Sequence, residues 1–457
     1  MRAFYVMISP DYNVRPEFPR MARPSPQSAK PAVAAAVEAA MPFAEALFED
    51  VRKRTADTVG VSREPYGTGE QTAVDAVARA GGELGLEIKH DPFGNVYLTM
   101  PGRDRSAPGW ITGSHVDSVP LGGNFDGFAG VVAGLTALAA FRKAGLAPQF
   151  DVTVMGIRAE EASSWYGGAH DGHIGSRAAL GLLPTAELDS AVQSRTGTSL
   201  REQMRKAGFD PDAVGRGKPY LDPARYCGYL ELHIEQGPVL EARGFPVGVV
   251  TGIRGATRAR SCQCIGSYTH SGAVPHEYRS DAVMAVVELV RELDLEWERV
   301  REDGGDLVFT VGKLYTDAKV HALTKVPGEA NFVLDFRSQD DAILQQVRVA
   351  AERLALEIGQ RRRVRFDLGS FSLHRPAAMD PEFRRTLLSG CQDLGIRAME
   401  IPSGAGHDAQ DFAHAGFRSA MIFVRNSHGS HNPDEAMAIG DFAFGTRLLA
   451  WKLLQGA

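Results

Sequence analysis

The chain has 457 residues, 44% of them hydrophobic and 23% charged, enough to bury a large core and to form two or three domains. Against 56 Asp and Glu stand 50 Lys and Arg, so a net charge of −6 offers no bulk attraction to nucleic acid or an anionic membrane. The longest apolar stretch, Phe128 to Phe141, is shorter than the roughly 18 residues a membrane span needs. Four scattered cysteines, Cys227, Cys262, Cys264 and Cys391, are too few for a disulfide framework and are expected as reduced thiols. The N-terminal segment lacks the apolar stretch and small-residue cleavage site of a signal peptide, so a soluble, cytoplasmic protein is expected.

Residues 1–30 hold five prolines and little periodicity, and read as an extended arm. From Ala34 an apolar helical pattern begins, and a second helix is expected from about Gly69 to Leu86. Strands follow at Asn95–Met100 and up to His115, then a helix over Asp126–Ala144, a strand over Asp151–Ile157 and a helix near Gly175–Gly181. Apolar strands alternating with helices predict an α/β domain with a mixed, largely parallel sheet. After Val250 the texture changes to a strand over 258–268, a helix over Ser280–Val300 and strands at Leu307–Val311 and Asn331–Phe336. A helix over Asp341–Arg361 and a strand at Val364–Leu368 complete that run. This order predicts an inserted ferredoxin-like α+β domain, after which the α/β pattern resumes at Ser370.

Four polar clusters interrupt the apolar pattern. In Gly113-Ser-His-Val-Asp117, at the end of an apolar strand, His115 and Asp117 stand two apart and share a side. That suits a metal-bound imidazole whose other nitrogen is held by a carboxylate. Nine residues on, Asp126 lies among glycines just before a helix; alone it would read as an N-cap. Glu160 and Glu161 follow the strand VTVMGI, and adjacent carboxylates there repel unless a cation or shared proton compensates. One can ligate a metal while the other takes a proton from water. Glu231, His233 and Glu235 alternate with apolar residues and are expected on one strand face, and His431 precedes a C-terminal helix. His115, Asp126, Glu161, His233 and His431 form a nitrogen and oxygen ligand set without thiolate, apt for Zn2+, Mn2+, Co2+ or Ni2+. Five ligands exceed the usual one-zinc catalytic set, which points to a carboxylate shared by two ions.

The segments GSHVDSVPLGGNFDG, RAEEAS, GSRAALG, ELHIEQGPVLE, IPSGAGHDAQDFA and IFVRNSHGSHNPDE, with His-Ser-Gly-x-x-Pro-x-x-x-Arg-x-Asp from His270, occur in that order. Together they resemble the N-carbamoyl-L-amino-acid hydrolase, allantoate amidohydrolase and β-ureidopropionase branch of the di-metal aminoacylase/carboxypeptidase-like family, from about Ala34 to the C-terminus. The resemblance implies two divalent metal ions per subunit. His115 and His233 would hold one, Glu161 and His431 the other, and Asp126 would bridge. It makes Glu160 the general base and Asp117 the residue orienting His115. It also assigns residues 253–369 to a lid and dimerisation domain, and residues 31–252 and 370–457 to the catalytic domain. In that lid His270 would stabilise the oxyanion, often from the other subunit of a homodimer, and Arg337 would grip the substrate carboxylate. Gln236 and His407 match residues that contact substrate.

The implied activity is cleavage of the carbamoyl C–N bond of an N-carbamoyl-L-amino acid, a small-molecule substrate, by attack of water. Allantoate, N-carbamoyl-β-alanine and N-acyl amino acids are the neighbouring substrate classes; an aminopeptidase or a non-catalytic binding protein fits these residues less well. Two departures bear on the substrate. Thr324 stands where the family usually has Asn, which leaves His321 or Lys325 to compensate. The loop from Glu161 to Gly175 is longer than usual and adds Trp165, Tyr166, His170 and His173, expected to line the pocket and favour a bulkier or aromatic substrate.

Overall fold

The computed structural model describes residues 26–167, 172–216 and 219–455. A nine-stranded sheet forms its centre, in the order Glu87–His90, Val96–Met100, Val152–Ile157, Gly109–His115, Tyr226–Ile234, Ser419–Val424, Val247–Ile253 and Ala377–Ala378. Ala398–Ser403 also pairs with Val247–Ile253. The four central strands, from Val152–Ile157 to Ser419–Val424, are mutually parallel, and antiparallel strands flank them. The sheet is thus mixed with a parallel centre, as the alternating pattern predicts.

The helix Phe128–Ala144 is apolar on every side because it is covered on every side, and all residues from Phe128 to Phe141 are buried. It lies against the sheet so closely that a Cβ on Gly130 would collide with the Leu232 carbonyl oxygen and the Ser114 side chain. The N-terminal helix covers it, with Val33, Val37, Ala40, Met41, Ala44, Leu47, Phe48 and Val51 buried at helical spacing. Phe48 meets Phe125 and Phe442 edge-on, each at 5.2 Å between centroids, which joins this helix to Ile439–Leu454. That helix spans Pro26–Arg54, eight residues before the expected start at Ala34, with Pro26 at its first position, where a proline is tolerated. The remainder of the expected arm, residues 1–25, lies outside the described residues.

A second, wholly antiparallel sheet occupies the stretch from Gly255 to His374. Its order, Val308–Thr310, Glu329–Ser338, Gly255–Ile265, Arg365–Asp367, is ferredoxin-like, and Phe371–His374 extends it on Gly255–Ile265. Helices Ala282–Glu302 and Asp341–Arg362 cover one face over a separate apolar core. Cys262 and Cys264 lie in that core, and the four cysteines are unpaired. No described helix is long and apolar enough to cross a membrane.

Candidate metal centre and catalytic cleft

The carboxyl ends of the parallel strands deliver the polar clusters to one place, as open α/β sheets do. His115 is the last residue of Gly109–His115, His233 the next to last of Tyr226–Ile234, and Glu160 and Glu161 follow Val152–Ile157 by three and four residues. Asp126 enters from the turn before helix Phe128–Ala144, and His431 from the loop after Ser419–Val424. Backbone with positive φ aims several of these side chains: Ala159 (φ 57°), Gln236 (φ 63°) and His431 (φ 59°) all take it, and such residues concentrate at functional sites. A buried ion pair holds the Ala159 turn, since Glu70 accepts from the Ala159 N–H at 2.9 Å and pairs with Arg158.

The five candidate ligands fall into two groups that share Asp126: His115, Asp126 and His233, and Asp126, Glu161 and His431. Asp126 Oδ1 lies 3.1 Å from His233 Nε2 and 3.6 Å from His115 Nε2, whereas Oδ2 lies 3.3 Å from His431 Nε2. His431 Nε2 is also 2.8 Å from Glu161 Oε1.

The hydrogen bonds around this cluster test whether a cation fits it. His233 Nδ1 faces the Ile234 carbonyl at 2.8 Å, and His115 Nδ1 faces the Asp117 carbonyl at 3.2 Å. Each neutral ring therefore puts its proton on Nδ1 and leaves an Nε2 lone pair beside Asp126 Oδ1, that of His233 also accepting from the Gly127 N–H at 3.2 Å. That oxygen is buried and accepts no hydrogen bond. Lone pairs converging on a buried carboxylate oxygen require positive charge between them. Burial pushes His233 down and Asp126 more than reverses this, so without an ion a proton meets the need. Burial likewise pushes Asp126 up, but His115, His233 and His431 hold it well below the usual carboxylate range. Imidazole and carboxylate donors with no thiolate fit a divalent ion such as zinc or manganese.

Asp117 is buried beneath these groups. Its carboxylate accepts from the backbone N–H groups of Glu160 (3.1 Å) and Glu161 (2.9 Å), while Oδ1 lies 3.5 Å from His115 Nδ1. One carboxylate thereby fixes both the imidazole and the Glu-Glu turn. Glu160 Oε2 faces His115 Nε2 at 3.8 Å, and Oε1 lies 3.1 Å from His173 Nε2. Burial raises Glu160, but His173 and His115 outweigh it and hold the carboxyl at about 2. His173 is itself anchored through Nδ1 to Asp411 at 2.7 Å. Asp411 escaped sequence reasoning, because nothing local links two residues 238 positions apart.

Gln236 donates to Asp126 Oδ2 at 2.9 Å, and His407, fully buried, stands 4.4 Å from the His233 ring. Both line the cleft of about 600 Å³ that opens onto the cluster, as does Arg337 from the second sheet. Arg337 is paired with Asp335 at 3.0 Å and donates to the Gly404 carbonyl at 2.8 Å.

Other expected residues stand apart from the cleft. Trp165 and Tyr166 turn inward, the Trp165 N–H donating to the Ser118 carbonyl at 2.7 Å, and both pack in a core with Ile174 and Leu188. They therefore do not line the cleft, which removes their support for an aromatic substrate; His170 lies outside the described residues. Glu235 follows the end of its strand and accepts from the N–H groups of Val239 and Leu240, capping the next helix instead of sharing the His233 face. His270 and Thr324 are exposed on a ribbon in which Thr269–His270 pairs with Lys325–Val326, and neither lines the cleft. Nor does this ribbon free His321 or Lys325, which bond locally to Thr316 and the Val320 carbonyl.

The sequence profile described as Peptidase family M20/M25/M40 matches residues 111–454, a span that holds every candidate ligand. The chain belongs to this family. Within it the hydantoinase/carbamoylase branch is the one it matches: it is 34% identical over 401 residues to an N-carbamoyl-L-amino acid amidohydrolase of Geobacillus stearothermophilus, covering 87% of this chain and 94% of that protein. It is 32% identical over 378 residues to the allantoate amidohydrolase of Escherichia coli (strain K12), covering 81% and 87%. A crystal structure of an amidase of the hydantoinase/carbamoylase family from Burkholderia multivorans superposes with a TM-score of 0.81 at 27% identity, covering 91% of this chain and 97% of that one. This M20 protein is accordingly a metal-dependent amidohydrolase related to the N-carbamoyl-L-amino acid and allantoate amidohydrolases.

Proposed function

We propose that this enzyme hydrolyses the carbamoyl C–N bond of an N-carbamoyl-L-amino acid. The observation that carries the reading is the pair of ligand groups joined through Asp126, with the Glu160 carboxylate beside them. His115 and His233 would hold one divalent ion and Glu161 and His431 the other, with Asp126 bridging; Zn2+, Mn2+, Co2+ and Ni2+ suit these donors. When bound, the ions supply Lewis-acid polarisation of the scissile carbonyl and acidify water.

The chain's own residues do the rest. Asp117 holds His115 and the Glu160–Glu161 turn in register. Glu160 takes the proton of the attacking water through Oε2, its other oxygen being anchored on His173, and returns that proton to the leaving nitrogen. Gln236 and His407 orient the ureido group, and Arg337 holds the α-carboxylate. The products are the free amino acid, carbon dioxide and ammonia.

We further propose a catalytic unit of residues 31–252 and 370–457 and a lid and dimerisation unit of residues 253–369. In a homodimer the ribbon bearing His270 and Thr324 would reach the cleft of a second copy, where His270 stabilises the oxyanion and Thr324 contacts the carboxylate. Supporting this, Leu323 on the ribbon is wholly exposed, and Leu314 and Tyr315 of the same unit are exposed too. Four unpaired cysteines support a reducing compartment, the cytoplasm. The test is ammonia release from N-carbamoyl-L-amino acids, N-carbamoyl-β-alanine, allantoate and N-acyl-L-amino acids, each with added Mn2+, Co2+, Ni2+ or Zn2+. Turnover confined to N-acyl substrates, without ammonia, would overturn the reading.

A further inference from the structure

The far wall of the catalytic cleft is the face of the antiparallel sheet that its helices leave uncovered. Side chains alternate along the strand Gly255–Ile265: Thr257 and Ala259 are buried, whereas Ala256, Arg258 and Arg260 line the cleft. The register continues this face onto the next strand, where Arg337 stands opposite Ala256 and Asp335 opposite Arg258. Arg254 precedes this face at the start of the strand, and Arg375 follows Phe371–His374; both also line the cleft.

Five guanidiniums, Arg254, Arg258, Arg260, Arg337 and Arg375, thus confront the metal cluster. Among the described residues two carboxylates answer them. Arg254 is spent on Asp306 at 2.6 Å, and Arg258 and Arg337 share Asp335 at 3.3 and 3.0 Å. Arg260 and Arg375 donate to no acceptor among the described residues. Burial depresses the Arg258 guanidinium, Asp335 opposes this, and Arg337 and Arg260 add to it, so these three cations stand near enough to repel one another. Such a cluster disfavours the empty cleft and is relieved by an anion that binds it. The α-carboxylate of an ordinary N-carbamoyl amino acid brings one negative charge and leaves Arg260 unanswered.

We propose that the preferred substrate is dianionic, an N-carbamoyl-L-amino acid whose side chain bears a second carboxylate. Arg337 takes the α-carboxylate, while Arg258 and Arg260 grip the side-chain acid and Arg375 adds to the field that draws it in. This inference rests on the carbamoyl-hydrolase reading above and narrows its substrate class. The reaction is unchanged, since water still adds to the ureido carbonyl and the C–N bond to the amino acid still breaks.

Isosteric pairs test the second charge with little change of shape. N-carbamoyl-L-aspartate is compared with N-carbamoyl-L-asparagine, and N-carbamoyl-L-glutamate with N-carbamoyl-L-glutamine, on the full-length protein with added Mn2+. A charge-assisted contact predicts kcat/KM at least about tenfold higher for one acid than for its amide, carried mainly in KM. Calorimetric binding of the same ligands to the protein as purified should show the same preference, weakened by salt. In R260Q, whose position is exposed, both preferences should fall toward one. Equal or better turnover of the amides overturns this inference and leaves the carbamoyl-hydrolase reading standing. If no ureido compound is turned over, that reading fails, and the calorimetric comparison still judges the arginine wall: equal binding of acid and amide sinks it.

Discussion

Replacing Gly127 by alanine should weaken metal binding while leaving the fold in place. Gly127 has φ 63° and ψ −52°, a conformation that side-chain-bearing residues avoid, so the substitution costs about 1–3 kcal/mol in backbone strain. The larger effect is local. A Cβ at this position would fall inside 3.0 Å of three atoms of the His115 ring, where ordinary contact begins at 3.4 Å. The ring must retreat by at least about 0.4 Å, which is twice the ~0.2 Å tolerance of a metal–ligand distance. It cannot retreat freely, because the Asp117 carbonyl and carboxylate hold Nδ1 at 3.2 and 3.5 Å. Disturbing such an orienting contact lowers metal affinity by about 10- to 100-fold. Competition with a chromogenic chelator measures that affinity, and far-ultraviolet circular dichroism checks the fold. A folded G127A protein that holds metal as tightly as the parent would show that the His115 ring position does not set metal affinity.

Other perturbations act through the same groups. E70A removes the counter-ion of buried Arg158 and the acceptor of the Ala159 N–H, and should cost about 3–5 kcal/mol in denaturant unfolding. Chelation should lower the melting temperature, since a ligand at 100 times its Kd stabilises the native state by about 2.7 kcal/mol; an unchanged melting curve would count against a metal cluster. In metal-free protein Glu160 has a folded pKa near 2, below its ordinary 4.5. Its contribution to stability is therefore present above about pH 4.5 and lost as pH falls toward 2. H173A should raise that folded pKa, shrink the contribution, and move the acid limb of the kcat profile of the metal-loaded enzyme to higher pH.

Much of the site was legible because its residues sit at strand ends, where a break in an apolar run marks a change of surroundings. His115, Asp126, Glu161, His233 and His431 converge as their types suggest, and the ferredoxin-like order follows from strand and helix spacing alone. What local pattern could not carry was anything decided by packing. Alternation put Glu235 beside His233, but the strand ends at Ile234 and a helix N-terminus claims the carboxylate. Trp165 and Tyr166 read as pocket residues, yet rings of that size are better buried, and a core beneath the loop takes them. The Glu70–Arg158 pair and the Asp411–His173–Glu160 chain join distant segments and leave no trace in spacing. The arginine wall was hidden for a related reason, since only the register of three strands gathers its members.

The role of Glu160 as base in a di-metal hydrolase is tested by ammonia release from an N-carbamoyl-L-amino acid by wild type and by E160Q, with metal content measured on the same preparations. Two divalent ions per chain are expected in both proteins, with turnover in the wild type and loss of turnover by at least about a hundredfold in E160Q. Near-normal turnover by a fully metallated E160Q protein would exclude Glu160 as the base.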